Sequence, residues 1–247
     1  MSALRPLTRA EVLKLHSTRT TRLSILAALA FAALLGFANA TLAGQDTNPD
    51  LGSPAWVRNV LAVSTIPPVV ALVLGVLLAA GEYQHRTITT TFLVTPRRFR
   101  VVAAKALAAA VAGPVVAVAM MAVAVAATVP FVLAEGATVD ALHRGTGRAV
   151  AGVLLASALL GAIGVLLGML VRSQVASVVL VTAWALVLEG VVDVLAGGGL
   201  GPWLPGVAAA DLAGGGRTVW VAALVLLAWA AVAAAVTLPA VARRDVA

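Results

Sequence analysis

Gly81-Glu82-Tyr83-Gln84-His85-Arg86-Thr87-Ile88-Thr89-Thr90-Thr91-Phe92-Leu93-Val94-Thr95-Pro96-Arg97-Arg98-Phe99-Arg100 is a polar island between two long apolar runs. The chain around it is 62% hydrophobic and only 11% charged. Soluble domains carry about 25% charged residues. The surroundings therefore read as an all-α integral membrane protein, and the island as a loop that contacts something outside the bilayer.

Working outward from the island, six apolar segments can be drawn, at 23–43, 59–80, 101–130, 147–171, 175–196 and 218–241. Each is long enough to cross roughly 30 Å of hydrocarbon as a helix, which satisfies its backbone hydrogen bonds internally. With 247 residues, the spans and their loops fill the chain as one transmembrane domain, 1–247, and leave no room for a soluble domain. Residues 1–22 precede the first span. In them Thr8-Arg9-Ala10-Glu11 fits a capping box, and Leu7, Val12, Leu13 and Leu15 alternate with Arg5, Arg9, Lys14 and Arg19. This is the pattern of a short amphipathic helix lying on the membrane surface, with a disordered basic flank as the alternative. Ala38-Asn39-Ala40 resembles a signal-peptidase site, but the apolar run before it is longer than a signal peptide's core.

Charge sets the expected orientation. Six spans put both termini on one side. With that side cytoplasmic, thirteen Lys and Arg lie inside and four (Arg58, Arg144, Arg148 and Arg217) outside. The positive-inside rule supports this arrangement, which also places loop 81–100 in the cytoplasm. Seven of the ten acids, including Asp46, Glu135 and Asp140, fall on or near the outer side. The net charge of +7 is then explained by topology and lipid headgroups, with no nucleic acid. Arg outnumbers Lys 15 to 2, in keeping with a GC-rich bacterial source and a bacterial plasma-membrane location.

Little in the chain can carry catalysis. His16, His85 and His143 lie in loops or flanks without partners at ligand spacing. There is no cysteine, and HExxH, CxxC and GxSxG are absent. The lysines, Lys14 and Lys105, are not preceded by Gly, so no phosphate-binding GxxxxGK[ST] loop exists. No catalytic residue, cofactor or metal is expected on this chain; if ATP drives the protein, another chain binds it.

Glu189 and Asp193 are four apart and share a helix face in the outer half of the fifth segment. Two readings stand: contact with a cation or polar substrate on its pathway, or a structural role in which they reach the outer headgroups or cap the Gly-rich break after Ala196. Residues 197–217 are too apolar for an ordinary loop and too broken by Gly and Pro to span, which fits short helices dipping into the outer leaflet. Ser157, Gly161, Gly164 and Gly168 form small-xxx-small patterns that let helices approach closely, within one subunit or between two. Pro67-Pro68 and Pro114 are expected to kink their spans. In the island, Thr87 to Val94 can form a short helix with Ile88 and Phe92 on one face, ringed by Arg86, Arg97, Arg98 and Arg100. That pattern suits docking in a partner's groove, or binding to anionic lipid.

The run Gly81-Glu82-Tyr83-x-His85-x-Thr87-Ile88-Thr89-Thr90-Thr91, then Leu93-x-Thr95-Pro96-Arg97-Arg98 and Ala103-Ala104-Lys105, resembles the membrane subunits of bacterial type-2 ATP-binding-cassette exporters. Glu11-x-x-Lys14-Leu15-x-Ser17-Thr18-Arg19 and Leu170-Val171-Arg172-Ser173-Gln174 are similar to the same family. The resemblance implies six spans, cytoplasmic termini and outer re-entrant helices between spans five and six. It implies a dimer of permeases, homodimer or heterodimer, with two separate ATPase chains that hold ATP and magnesium. It also implies a coupling helix over Glu82 to Thr91, with Tyr83, Gln84, His85, Arg86, Thr87 and Ile88 in it. Thr95, Pro96, Arg97 and Arg98 would lead onward, and Arg172 and Gln174 would make a minor ATPase contact.

The expected function is a permease subunit exporting an amphipathic or lipid-like cargo such as an antibiotic, toxin or lipid. The alternatives are a membrane scaffold or sensor, or a secondary carrier. On the exporter reading, replacing Glu82 or Arg86 with Ala uncouples transport while leaving the protein folded.

Overall fold

The computed structural model describes residues 4–45, 48–62, 66–85, 87–95, 97–138, 146–214 and 219–243. They form helices and connecting turns. The elements are α1 (Leu4–Ser17), α2 (Arg19–Thr41), α3 (Pro54–Ala62), α4 (Ile66–Gln84), α5 (Ile88–Val94), α6 (Arg98–Glu135), α7 (Thr146–Val171) and α8 (Gln174–Ala183). A π-helical turn, Trp184–Leu188, carries α8 into α9 (Glu189–Leu195). A 3-10 turn (Gly201–Trp203), α10 (Pro205–Gly214) and α11 (Val219–Arg243) complete the order.

Among the described residues six helices are long and apolar enough to cross a membrane: 19–41, 66–84, 98–135, 146–171, 174–195 and 219–243. They match the six expected segments, with two differences. The second span begins later, because Trp56, Val57 and Val60 belong to the separate helix α3, which packs on Ala40 of α2. Pro67 and Pro68 accordingly sit in the first turn of α4 and do not kink a span. A proline there removes only N–H groups that have no helical acceptor. The third span is longer: α6 has 38 residues and runs through Pro114 and Pro130. It ends where Gly136 adopts φ 60°. There Ala137 N–H donates to Val132 O at 3.1 Å. This left-handed turn satisfies carbonyls that the helix leaves open.

α7 is the axis of the bundle, with α4, α6, α10 and α11 packed around it. Small residues make this possible. A Cβ on Gly164 would meet the Leu72 carbonyl, and one on Gly75 the Gly161 carbonyl. Gly113 and Gly152 meet the carbonyls of Ser157 and Leu212 in the same way. The small-residue pattern of α7 thus serves packing within one subunit. By contrast α2, α8–α9 and α11 bury little of their length and turn leucines, valines and phenylalanines outward.

The capping box expected at Thr8 is not formed. Helix α1 begins at Leu4, so Thr8 lies inside it. Its partner Glu11 is 5% exposed and turned into the bundle, while Leu13 is 64% exposed. Helix α1 is therefore anchored through a charged face as well as an apolar one. Between spans five and six the expected short helices are present, and Ala208 and Leu212 of α10 are fully buried. Asp140, His143, Arg144 and Arg217 lie outside the described residues.

Candidate functional site

One end of the bundle gathers α1, α5, the end of α4, the start of α6 and the turn at 172–174. Glu82 occupies the last turn of α4, and Lys105 the third turn of α6. Glu11 and Lys14, three apart on α1, share a face. The four side chains form a charged knot. Lys105 Nζ lies 2.7 Å from Glu11 Oε2 and 2.8 Å from Glu82 Oε1. Lys14 Nζ lies 2.9 Å from Glu11 Oε1 and 2.7 Å from Glu82 Oε1. Both lysines of the chain are used, and the charges cancel.

Lys105 is wholly buried, and Glu11 and Glu82 are nearly so. Two carboxylates and the Leu78 carbonyl at 3.5 Å surround its ammonium. Lys14 is the solvent-facing member, its side chain 42% exposed. Burial works against its charge, but hydrogen bonds and attraction from Glu82 and Glu11 outweigh burial and hold its pKa above the ordinary 10.5.

Glu82 also reaches α5. Thr91 Oγ1 donates to Glu82 Oε2 at 3.4 Å, and Thr87 N–H donates to the Glu82 carbonyl at 2.9 Å. Ile88 and Phe92 are buried against Leu78, Val101, Met169 and Val241. The Arg98 guanidinium lies 5.3 Å from the centre of the Phe92 ring. Arg98 also donates to the Val241 carbonyl of α11 at 2.8 Å. On the other side, Arg172 takes φ 61° and lies 5.5 Å over the Tyr83 ring. Ser173 Oγ accepts from Ala176 N–H and caps α8.

Three expectations are corrected here. The helix expected over Glu82 to Thr91 is two elements: Glu82, Tyr83 and Gln84 end α4, and α5 starts at Ile88. Ile88 and Phe92 do not face a partner, because the bundle's own apolar surface covers them. Glu82 is a buried ion-pair partner, so its replacement by Ala is not expected to leave the fold untouched. Outward from the bundle point Gln84, His85, Thr87, Thr89, Thr90, Leu93 and Arg97, with Leu93 79% exposed. Thr95 is partly buried at the end of α5. Arg86 and Pro96 lie outside the described residues.

A cavity of about 500 Å³ opens between the α1–α2 corner, α4 and α5, lined by Lys14, Thr21, Glu82, His85, Thr91 and Gln174 among others. The residues named for the loop and for the turn at 172–174 therefore do meet. Sequence reasoning missed the ion pairing of Glu11, Lys14 and Lys105 with Glu82. The available signal was a lysine placed inside an apolar segment of an arginine-rich chain.

At the opposite end, both acids of span five cap backbone. Glu189 accepts from Gly206 N–H at 2.8–2.9 Å and from Val207 N–H at 3.2 Å, at the start of α10. Asp193 Oδ1 accepts from Gly201 N–H at 2.6 Å. Both acids thus show the capping contacts, and Glu189 in addition lines a cleft between spans five and six.

A search against curated proteins finds no match. A family model described as ABC-2 family transporter protein matches residues 7–188, a stretch that includes α5, every member of the charged knot, the first four spans and the first part of the fifth. Family membership implies a multi-pass membrane protein that works with an ABC ATPase. With six apolar helices and this match over most of its length, the chain belongs to the ABC-2 transporter family as a membrane permease subunit.

Proposed function

We propose that the chain is the membrane half of an ATP-driven exporter that moves an amphipathic or lipid-like cargo outward across the bacterial plasma membrane. Two permease copies pair with two ATPase chains, which hold the ATP and magnesium. The basic end of the bundle faces the cytoplasm, in line with the bias of Lys and Arg.

The observation that carries this reading is the two-sided character of α5. Its inner face is fastened to α4, α6 and α11 through Ile88, Phe92 and the Thr91–Glu82 bond. Its outer face offers Thr89, Thr90, Leu93 and the adjacent Arg97. In this reading α5 acts as the coupling helix. An ATPase that grips the outer face differently in its open and closed states shifts the balance between two permease conformations. Because Glu82 is tied to α1, α5 and α6 together, displacement of α5 moves α1, the end of span two and the start of span three with it.

The test is purification of the detergent-solubilised protein from its native host. A stoichiometric ATPase is expected, and Leu93→Glu on the exposed ridge should reduce its recovery about tenfold or more. Equal recovery with the variant would remove α5 from the contact. Absence of any ATPase with folded protein would overturn the exporter reading.

A further inference from the structure

A second cavity, of about 300 Å³, lies in the middle of the bundle, between spans five and six and against α4 and α7. Leu160 and Leu170 of α7 both line it, so it follows ten residues of helix. That is a length of roughly 15 Å, about half the hydrocarbon thickness of a bilayer. Its rim is open. Leu180, Val232 and Val236 line it and remain 47%, 56% and 51% exposed on the surface of the outer spans. Trp184 and Trp229 narrow it, their ring centres 6.5 Å apart. Trp184 belongs to the π-helical turn, a rare distortion that recurs at functional sites.

The walls are apolar. Among the described residues lining the cleft, the one charged side chain is Glu189, which sits with Pro205 and Gly206 at the end remote from α5. Water would find too few polar partners to settle there. A mostly apolar pocket of this size with one placed polar group is the usual form of a small-ligand site. The Glu189 carboxylate oxygens also accept from Gly206 and Val207 N–H, which fixes the group in place at that end; there it attracts a cation and repels an anion across a low-dielectric gap.

We propose that this cleft binds a single-chain amphiphile, its hydrocarbon tail running from Trp184 toward Leu170 and its cationic head against Glu189. This inference deepens the exporter reading by naming a class of cargo, and rests on it only for that step. Binding itself requires no ATPase. Failure to recover an ATPase would leave the site standing, and an empty site would leave the exporter reading standing.

The test uses purified protein in detergent and dodecylamine carrying a photoreactive diazirine at the tail end. After irradiation, label is expected on the peptides around Leu170 and Val236. Excess unlabelled dodecylamine should reduce it about tenfold, and dodecanoate should not. Ala185→Phe and Ala233→Phe fill the cleft from opposite walls, and each should give a similar loss with unchanged elution volume. If either variant fails to fold, the competition experiment on the native chain decides. Label spread over the outward residues Leu224 and Leu227, or equal competition by dodecanoate, would overturn the proposal. So would exclusion of label together with disulfide crosslinks between two copies carrying Ala185→Cys, which would assign the cleft to a second permease.

Discussion

Lys105→Met removes the one fully buried ammonium of the charged knot while keeping the length of an unbranched side chain. Glu11 Oε2 then loses its 2.7 Å partner, and Glu82 keeps Lys14 alone. Removing one member of a buried ion pair costs about 3–5 kcal/mol, because the other charge stays buried without compensation. Here Lys14 still reaches both carboxylates, so the lower end applies, about 3 kcal/mol. For a chain of this size that corresponds to a fall in Tm of roughly 6–12 °C. Lys14→Met should cost less, about 1 kcal/mol, because its ammonium is already partly in water and its partners keep Lys105.

The decisive comparison is full neutralisation. Glu11→Leu, Lys14→Leu, Glu82→Met and Lys105→Met together leave no uncompensated charge. Replacing a whole buried network by apolar residues of similar volume is often neutral or stabilising. The quadruple variant should therefore melt above Lys105→Met, read by tryptophan fluorescence during heating in detergent. It should nevertheless lose coupled transport, since Thr91 loses its acceptor on α4. The reasoning is refuted if Lys105→Met melts within about 2 °C of the native protein, or if the quadruple variant is the less stable of the two.

The raised pKa of Lys14 fixes a sign: its contribution to docking α1 is complete below the free-lysine value of 10.5 and is lost as pH rises through the higher folded value. Limited proteolysis of α1 should be flat from neutral pH to about 10.5 and increase above it; release beginning near pH 8 would contradict the pairing. Gly75→Ala places a methyl group against the Gly161 carbonyl at the α4–α7 crossing, so stability should fall by about 1–3 kcal/mol, measured as a lower Tm. Glu189→Ala leaves the first N–H groups of α10 without their acceptor and should cost about 1–2 kcal/mol. Faster hydrogen exchange confined to 206–208 would locate that loss.

The bundle was legible because its physics is local. A run such as Ala149–Leu170 announces a span by hydropathy alone, and the glycines at 161, 164 and 168 announce a close crossing by their spacing. What escaped was the partner each residue takes. Thr8 and Glu11 carry a capping-box signature, yet helix α1 starts a turn earlier and Glu11 serves a lysine 94 residues away. Ile88 and Phe92 form a true i, i+4 pair, but spacing states only that they share a face, not which surface covers it. Pro67 and Pro68 illustrate the same limit: a proline pair in an apolar run marks a kink or a helix start, and only the position of α3 decides between them.

The placement of the knot gives it a meaning beyond stability. A buried ion network contributes little net free energy over an apolar core, yet it resists rearrangement because no member can leave alone. Glu82 holds two ammonium groups through Oε1 and Thr91 through Oε2, so α1, α5 and α6 share one anchor at the end of α4. On the proposed reading, the short helix that would meet the ATPase is thus tied to the end of span two by the Thr91–Glu82 bond and, through Glu82, to the start of span three. If α5 is the coupling helix, as proposed above, Glu82 is the residue through which a push on it reaches α1, the end of span two and the start of span three.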